Sequence, residues 1–303
     1  MPVTSKTALF SQKQRGGLFS IEDQSLSTGS RFFVHSGTGT DGAGYGRNPE
    51  TPFATIDYAI AFCTADKNDI IYVMPGHAEA ISAALEFVCD IAGVSIIGLG
   101  SGTNRPTVTF DTADTTDIDI DAANVTIENI IFSANFADIA TAFDVNAKDF
   151  TLKRCHFQAT ATDMNFLVCV QDGGTTTSDR ISIIECTSSM LDASDTHFIN
   201  MAGTGDGHIV RDNILHGNWG TMCIGGAGLV TNCTILRNVI FNIATDADVC
   251  ISMGATATGI AAFNACAGGH ASQGVVPGDL GSIENYYEQS TSDLSGVLEP
   301  ANA

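Results

Sequence analysis

A short apolar pattern recurs along this chain at an almost constant interval, and that recurrence limits the available folds more than any other feature. The runs at 94–99, 125–132, 150–157, 181–186, 208–215 and 233–240 share one arrangement of β-branched and other apolar residues. Aligning Ile96, Ile127, Leu152, Ile183, Val210 and Ile235 gives steps of 31, 25, 31, 27 and 25 residues, with Tyr72 one step earlier and Ile260 one step later. A second run precedes each full repeat: Ile118-Asp119-Ile120, Phe143-Asp144-Val145, Val168-Cys169-Val170, Ile199-Asn200-Met201, Met222-Cys223-Ile224 and Ile251-Ser252-Met253, with steps of 25, 25, 31, 23 and 29. Two ladders keeping the same period mean that each repeat holds at least two strands with an apolar inward face.

No repeat has room for the crossover helix of a βαβ unit. A coil of about 25 residues built only of strands and turns predicts an all-β fold, a right-handed parallel β-helix whose coils stack about 4.8 Å apart. The steps of 31 place longer loops on one corner. Leucine-rich repeats share the period but need a leucine-spaced consensus that is missing here, and propeller blades need about forty residues and four antiparallel strands. Before the repeats, Phe53, Ile56, Ile60 and Cys63 fall on one helical face, with Thr51 or Thr55 as a cap, which predicts a capping helix over 53–63. The expected organisation is an N-terminal arm (1–28), a strand, Gly-rich loop and capping helix (29–68), the β-helix (69–270) and a closing segment or tail (271–303). The glycines between 37 and 46 form neither GxGxxG after a buried strand nor a GKS or GKT ending, so they read as a turn-rich loop.

Charge narrows the partners. With 34 acids against 13 bases, the net charge of -21 argues against binding nucleic acid or an anionic membrane surface. The imbalance is uneven, because Lys6, Lys13 and Arg15 precede any acid in the first fifteen residues. Such an arm is either a frayed terminus or a docking segment for an acidic surface, another copy of the same body included. The first residues lack the apolar core of a signal peptide, and no apolar run approaches bilayer length, so synthesis in a cytoplasm is expected. The nine cysteines, without CxxC or Cys/His spacing, read as reduced core residues rather than disulfides or a zinc site.

Stacked coils turn equivalent positions into columns. Three residues after each aligned apolar residue stand Leu99, Ile130, Cys155, Cys186, Asn213 and Asn238, a thiol pair followed by a short amide ladder. Two residues after it stand Asn129, Arg154, Glu185, Asp212 and Arg237, a column expected to face solvent. Glu185 and Asp212 on adjacent coils are the candidate acid and nucleophile of a glycosidase, or else part of a charge-alternating surface ladder. Asp119 and Asp144, with Asp111, Asp114, Asp117 and Asp121, crowd another column. This is a solvated acidic face or, without any fixed loop spacing, a set of oxygen ligands for calcium; no cofactor is otherwise called for. His197, His208 and His216 fall within one coil beside Asp195, Asp206 and Trp219, in no zinc or triad pattern. His216 and Trp219 are candidates for stacking on a sugar, or for packing.

The segment from Phe33 to Gly76 runs from a strand through a Gly/Asp-rich loop and Asn48-Pro49-Glu50-Thr51-Pro52-Phe53-Ala54-Thr55-Ile56 to Ile70-Ile71-Tyr72-Val73-Met74-Pro75-Gly76. It resembles the N-terminal cap and first coil of pectate-lyase-like right-handed β-helix proteins, and in particular of phage tailspikes and other phage virion proteins. The likeness spans residues 32 to 270, and the ending Ile283-Glu284-Asn285-Tyr286-Tyr287 with Gly296-Val297-Leu298 resembles the finish of the phage versions. The resemblance implies a virion structural protein, a capsid decoration or tail-associated homotrimer docked on major capsid or tail proteins through its N-terminal arm. It equally admits a tailspike-type polysaccharide lyase or glycoside hydrolase, or a non-catalytic module binding host glycans. Lyases of the family use Asp-bound calcium with a nearby base; Lys153, Arg154, Arg180, Arg211 and Arg237 are the basic residues within the coils, and none completes that set here.

Overall fold

A computed structural model describes residues 10–14, 17–21, 29–173, 178–244, 249–268, 275–276, 278–289 and 297–298. It is a parallel β-solenoid of three sheets that run the length of the coil stack. Among the described residues the first sheet has ten strands, from Arg31–Val34 and Ile70–Val73 to Gly281–Ile283. The second also has ten, from Ala78–Ile81 to Tyr286–Gln289 and Val297–Leu298; the third has eight, from Val88–Cys89 to Val275–Val276. Each strand pairs in parallel with its counterpart one coil away, except that Val297–Leu298 runs antiparallel to Tyr286–Gln289.

The period-2 alternation of short strands explains the core. Thr126–Glu128, Thr151–Lys153, Ser182–Ile184 and Ile209–Arg211 each bury only their middle residue, and Ile127, Leu152, Ile183 and Val210 stack in register without solvent exposure. Each such side chain stabilises the fold by about 1.5–3 kcal/mol through apolar burial. The second sheet contributes Phe132 over Phe157 at 5.5 Å between ring centroids, with Phe143 and Phe198 meeting these rings edge-on from the third. The register expected from Ile96 to Ile235 is the observed one.

Other expectations need correction. At the ends, Ile71 rather than Tyr72 pairs with Ile96, and Ala261 rather than Ile260 pairs with Ile235. Tyr72 instead stacks on Phe33 at 5.7 Å in a small apolar cluster with Met74 on the other face of the first sheet. In the third sheet, Asp144 pairs with Gln171, not Cys169, and Asn200 with Gly225, not Cys223. Both cysteines are buried in the core. At Gly225 (φ +148°) an added Cβ would collide with the Ser252 carbonyl, so the close approach of coils there excludes a side chain. The ladder also reaches past 69–270 on both sides, since Arg31–Val34 is already a strand of the first sheet and Gly281–Ile283 still is.

The helix is Ile56–Ile60, shorter than 53–63, with Thr55 as its cap: Thr55 Oγ1 accepts from the Tyr58 N–H at 3.3 Å. The Glu79 carboxylate accepts from the Ile56 N–H at 3.1 Å and is held by His77 Nε2 at 3.0 Å. Because His77 Nδ1 accepts from the Ser36 N–H, its proton sits on Nε2 and points at Glu79. Ile56, Ala59 and Ile60 join Phe32, Phe53 and Phe87 in closing the N-terminal end of the core. The outermost strand there is covered by its own loop, through hydrogen bonds from Phe33 N to Gly46 O and from Phe53 N to Phe33 O, both at 2.8 Å.

Candidate functional site

The first and second sheets meet at an elbow two residues wide, and the catalytic candidates of the sequence occupy its first position. Asn129, Arg154, Glu185, Asp212 and Arg237 have φ between +52° and +60°, the left-handed region that turns the chain from one sheet into the next. Glu185 and Asp212 are therefore stacked on adjacent coils, as expected, but as corner residues. Arg237 grips Asp212 with both arms of its guanidinium, Nε to Oδ1 at 2.7 Å and the second nitrogen to Oδ2 at 3.0 Å, and Arg211 adds a third contact at 2.6 Å. The hydrogen bonds from Arg237 hold the Asp212 carboxyl below its ordinary range, so it stays ionised and does not serve as a proton donor. Glu185 is exposed, and Arg154 turns away from it to pair with Glu128.

Trp219 requires a plain correction. Its side chain has no solvent exposure, so the ring fills the core instead of presenting a face to a sugar. Its backbone is fixed by Asn242, which accepts from Trp219 N and donates to Trp219 O, both at 3.0 Å. Nothing in the spacing distinguished an inward Trp from an outward one, because residue 219 follows the strand Ile214–Gly217 in a turn where alternation ends. His216 is exposed on the second sheet, 6.3 Å from the Phe241 ring and edge-on to it. The three histidines do not converge. His208 is buried, accepting from the Ile181 N–H at Nδ1 and facing Asp172 from Nε2 at 3.4 Å. His197 lies apart, its pKa lowered by burial to about 4.

Two depressions carry chemistry that the motif search missed. On the first sheet a shallow groove of about 410 Å³ is lined by Thr126, Thr151, Ser182 and Asn124 beside an Arg180–Asp149 ion pair (Nε to Oδ1 2.6 Å). On the third, a smaller hollow of about 140 Å³ is lined by Asp114, Thr116, Asp117, Thr141, Asp144 and Gln171. Burial, with repulsion from Asp119 and Asp144, pushes Asp117 up to about 6; Asp119 and Asp144 are raised by burial as well. Among the described residues no three carboxylate, imidazole or thiol groups already meet as a metal centre. The groove was invisible because hydroxyls at 126, 151 and 182 read simply as strand residues until the register stacked them.

The nine cysteines are all buried thiols. Cys155 and Cys186 occupy the column expected for them, and Cys186 N donates to Asn213 Oδ1 at 2.8 Å at the start of the amide ladder. Of the arm, Lys13 lies in the strand Phe10–Gln14, which pairs antiparallel with Gly17–Ile21; Lys6 and Arg15 lie outside the described residues. No protein-family model matches this chain, and no curated protein matches it.

Proposed function

We propose that this chain is a structural protein of a phage virion, a capsid decoration or tail-associated β-helix that assembles as a homotrimer and docks through residues 1–28. The observation that carries the reading is the division of the molecule. Residues 10–21 hold a β-hairpin whose strands pair only with each other among the described residues, next to a solenoid that pairs coil on coil. A two-stranded hairpin is marginal in water by itself, so a bound position on a partner supplies the stability it lacks. The arm's basic residues oppose a chain of net charge -21, which favours an acidic partner surface such as capsid or tail proteins. The buried thiols fit assembly in a host cytoplasm before incorporation in the particle.

Mass spectrometry of purified particles tests this directly. Hundreds of copies relative to the major capsid protein indicate decoration, and a few trimers indicate a tail. Absence from particles, together with a monomer in sedimentation, overturns the reading. Reversing the arm's charge (Lys6→Glu, Lys13→Glu, Arg15→Glu) is expected to abolish attachment while leaving the solenoid's circular dichroism unchanged.

The first-sheet groove favours a second reading, a glycan-binding module or a tailspike-type lyase or hydrolase. Its stacked hydroxyls and Arg180 offer donors and acceptors along a track suited to an extended polysaccharide. Binding or product release with a panel of host surface glycans, lost in Arg180→Ala, supports that reading; Glu185→Gln separates turnover from binding.

A further inference from the structure

The outward columns of the first two sheets change character along the stack. The column that ends in Ile214, Val239, Ala265 and Tyr286 holds His156 and Thr187 in earlier coils, and the column of Phe241 holds Gln158 and Ser189 there. On the first sheet Glu128 and Lys153 give way, further along one column, to Leu236 and Ile283. Ile214, Phe241, Ile243, Phe263, Ile283 and Tyr286 are each between 45% and 54% exposed. At roughly 90 Å² for each half-exposed large side chain, they present about 500 Å² of mostly apolar surface, before the partly exposed Leu236 and Val239 are counted. Soluble monomers rarely leave a contiguous patch larger than a few hundred Å² open, and a standard interface takes about 800 Å² from each partner.

Phe263 carries a local cost on this edge. It occupies the first elbow position, where other coils place Asn129, Arg154, Glu185, Asp212 and Arg237, and it holds φ at +56°. A bulky side chain is disfavoured in that left-handed region, and with 48% of it in solvent a single copy gains little from the ring. Strained residues persist where their surroundings make use of them.

What covers the edge follows from charge. From Ile209 to Tyr286 the strands of these two sheets and their elbow carry Arg211, Asp212, Arg237 and Glu284, two of each sign, whereas the whole chain carries -21. Copies repel wherever their acidic faces approach, and this edge lets them meet without like charges. A basic partner would be drawn to the acidic faces instead. Aromatic residues with few charges are also the composition of an interface core. We propose that copies of this chain associate through this elbow edge, the first-sheet face of one packing on the second-sheet face of the next. The apolar side chains lie on both sides of a corner, so one flat contact leaves a face open, while a head-to-tail contact repeated about an axis covers both. The inference rests on the self-association proposed above and not on the virion, which particle mass spectrometry tests separately.

The test is sedimentation velocity of the full-length chain. At about 10 µM the wild type is expected to be a closed oligomer, given the micromolar or tighter affinity of interfaces of standard size. Phe241→Glu and Phe263→Glu should each weaken association by roughly tenfold or more, and Glu185 shows that the elbow accepts glutamate. Gln158→Glu adds the same charge in the Phe241 column three coils earlier and should leave association unchanged. Phe263→Asn separates an interface role from a structural one, because asparagine relieves the backbone. Association should fall while the dilute, dissociated chain unfolds in urea no earlier than the wild type. A wild-type monomer at the stated concentration overturns the proposal, as does an oligomer that both glutamate variants leave intact, which would put the contact on another face.

Discussion

Asn213 and Asn238 are joined amide to amide: Asn213 Nδ2 donates to Asn238 Oδ1 at 2.9 Å, and the same oxygen accepts from the Asn213 backbone N–H at 3.2 Å. Asn238 repeats the arrangement on Asn264, and Asn264 on Asn285, so four buried amides form one ladder at the bend between two sheets. Each rung also donates to a main-chain carbonyl, Asn238 to Val210 O at 2.9 Å.

Replacing Asn238 with Leu keeps the branched shape but removes the acceptor of Asn213 N and of one Asn213 Nδ2 hydrogen, and the donor to Val210 O. A buried unsatisfied group costs about 1–3 kcal/mol, so the variant should lose about 3 kcal/mol of stability. Urea unfolding followed by far-UV circular dichroism measures it. An unchanged midpoint would mean that the ladder is not under load.

Trp219→Ala should be destabilising by about 3–5 kcal/mol, the cost of emptying a large buried site. Trp219→Phe should cost much less, because it retains most of the ring and removes the indole N–H, which has no partner. Thermal unfolding of the two variants separates this from a surface role, in which Trp219→Ala would melt like the wild type.

The elbow makes a prediction of opposite sign. Glu185 holds φ at +55°, a conformation natural to glycine. Glu185→Gly should be neutral or stabilising by up to about 1 kcal/mol, and Glu185→Val should destabilise, because a β-branched residue is strained there. Denaturant midpoints that rank valine above glycine would contradict the assigned backbone. The exposed Arg237–Asp212 pair should matter little, with Arg237→Ala costing less than about 1 kcal/mol.

Stability should vary with pH through one buried and one half-buried group. Asp195 is 1% exposed, and burial raises its pKa from 3.8 to about 8 against the partial relief that Asn165 gives. The folded state therefore keeps a proton that the unfolded chain releases, and this contribution is complete below about pH 4 and lost as pH rises to about 8. His197 works in the other direction. Burial lowers its pKa from 6.5 to about 4, so its contribution is present above pH 6.5 and lost as pH falls through 4. Asp195→Asn should flatten the decline in unfolding free energy between pH 4 and 8. An unchanged slope would place the charge of Asp195 in solvent.

The sequence was legible where alternation was clean. From Ile96 to Ile235 the central apolar residue of each strand of the first sheet has at least one polar neighbour, and Ile127 and Leu152 have two, so one inward face follows. Legibility failed in strands buried on consecutive residues, such as Val168–Asp172 and Met222–Gly226, where nothing marks which residue points out and the register slipped by two. It failed at Ile260 because the larger side chain, 46% exposed, drew attention away from Ala261 beneath it. The second sheet lay concealed within the longer runs, since its elbow is two residues whose left-handed first position Arg, Glu and Asp fill without a glycine or proline signal. The site suffered most. Motif spacing registers neighbours along the chain, whereas Thr126, Thr151 and Ser182, or Thr116, Asp144 and Gln171, become neighbours only across coils.

The reversed strand Val297–Leu298 bears on how copies of this molecule meet. A solenoid built wholly of parallel strands offers at its end a template on which the next copy can continue the lattice. Here the second sheet finishes antiparallel to Tyr286–Gln289, so its outermost hydrogen-bonding groups are out of phase with the parallel repeat of any incoming coil. A further coil added at this edge would meet a strand running against its own direction, so the parallel register of the second sheet does not pass through it.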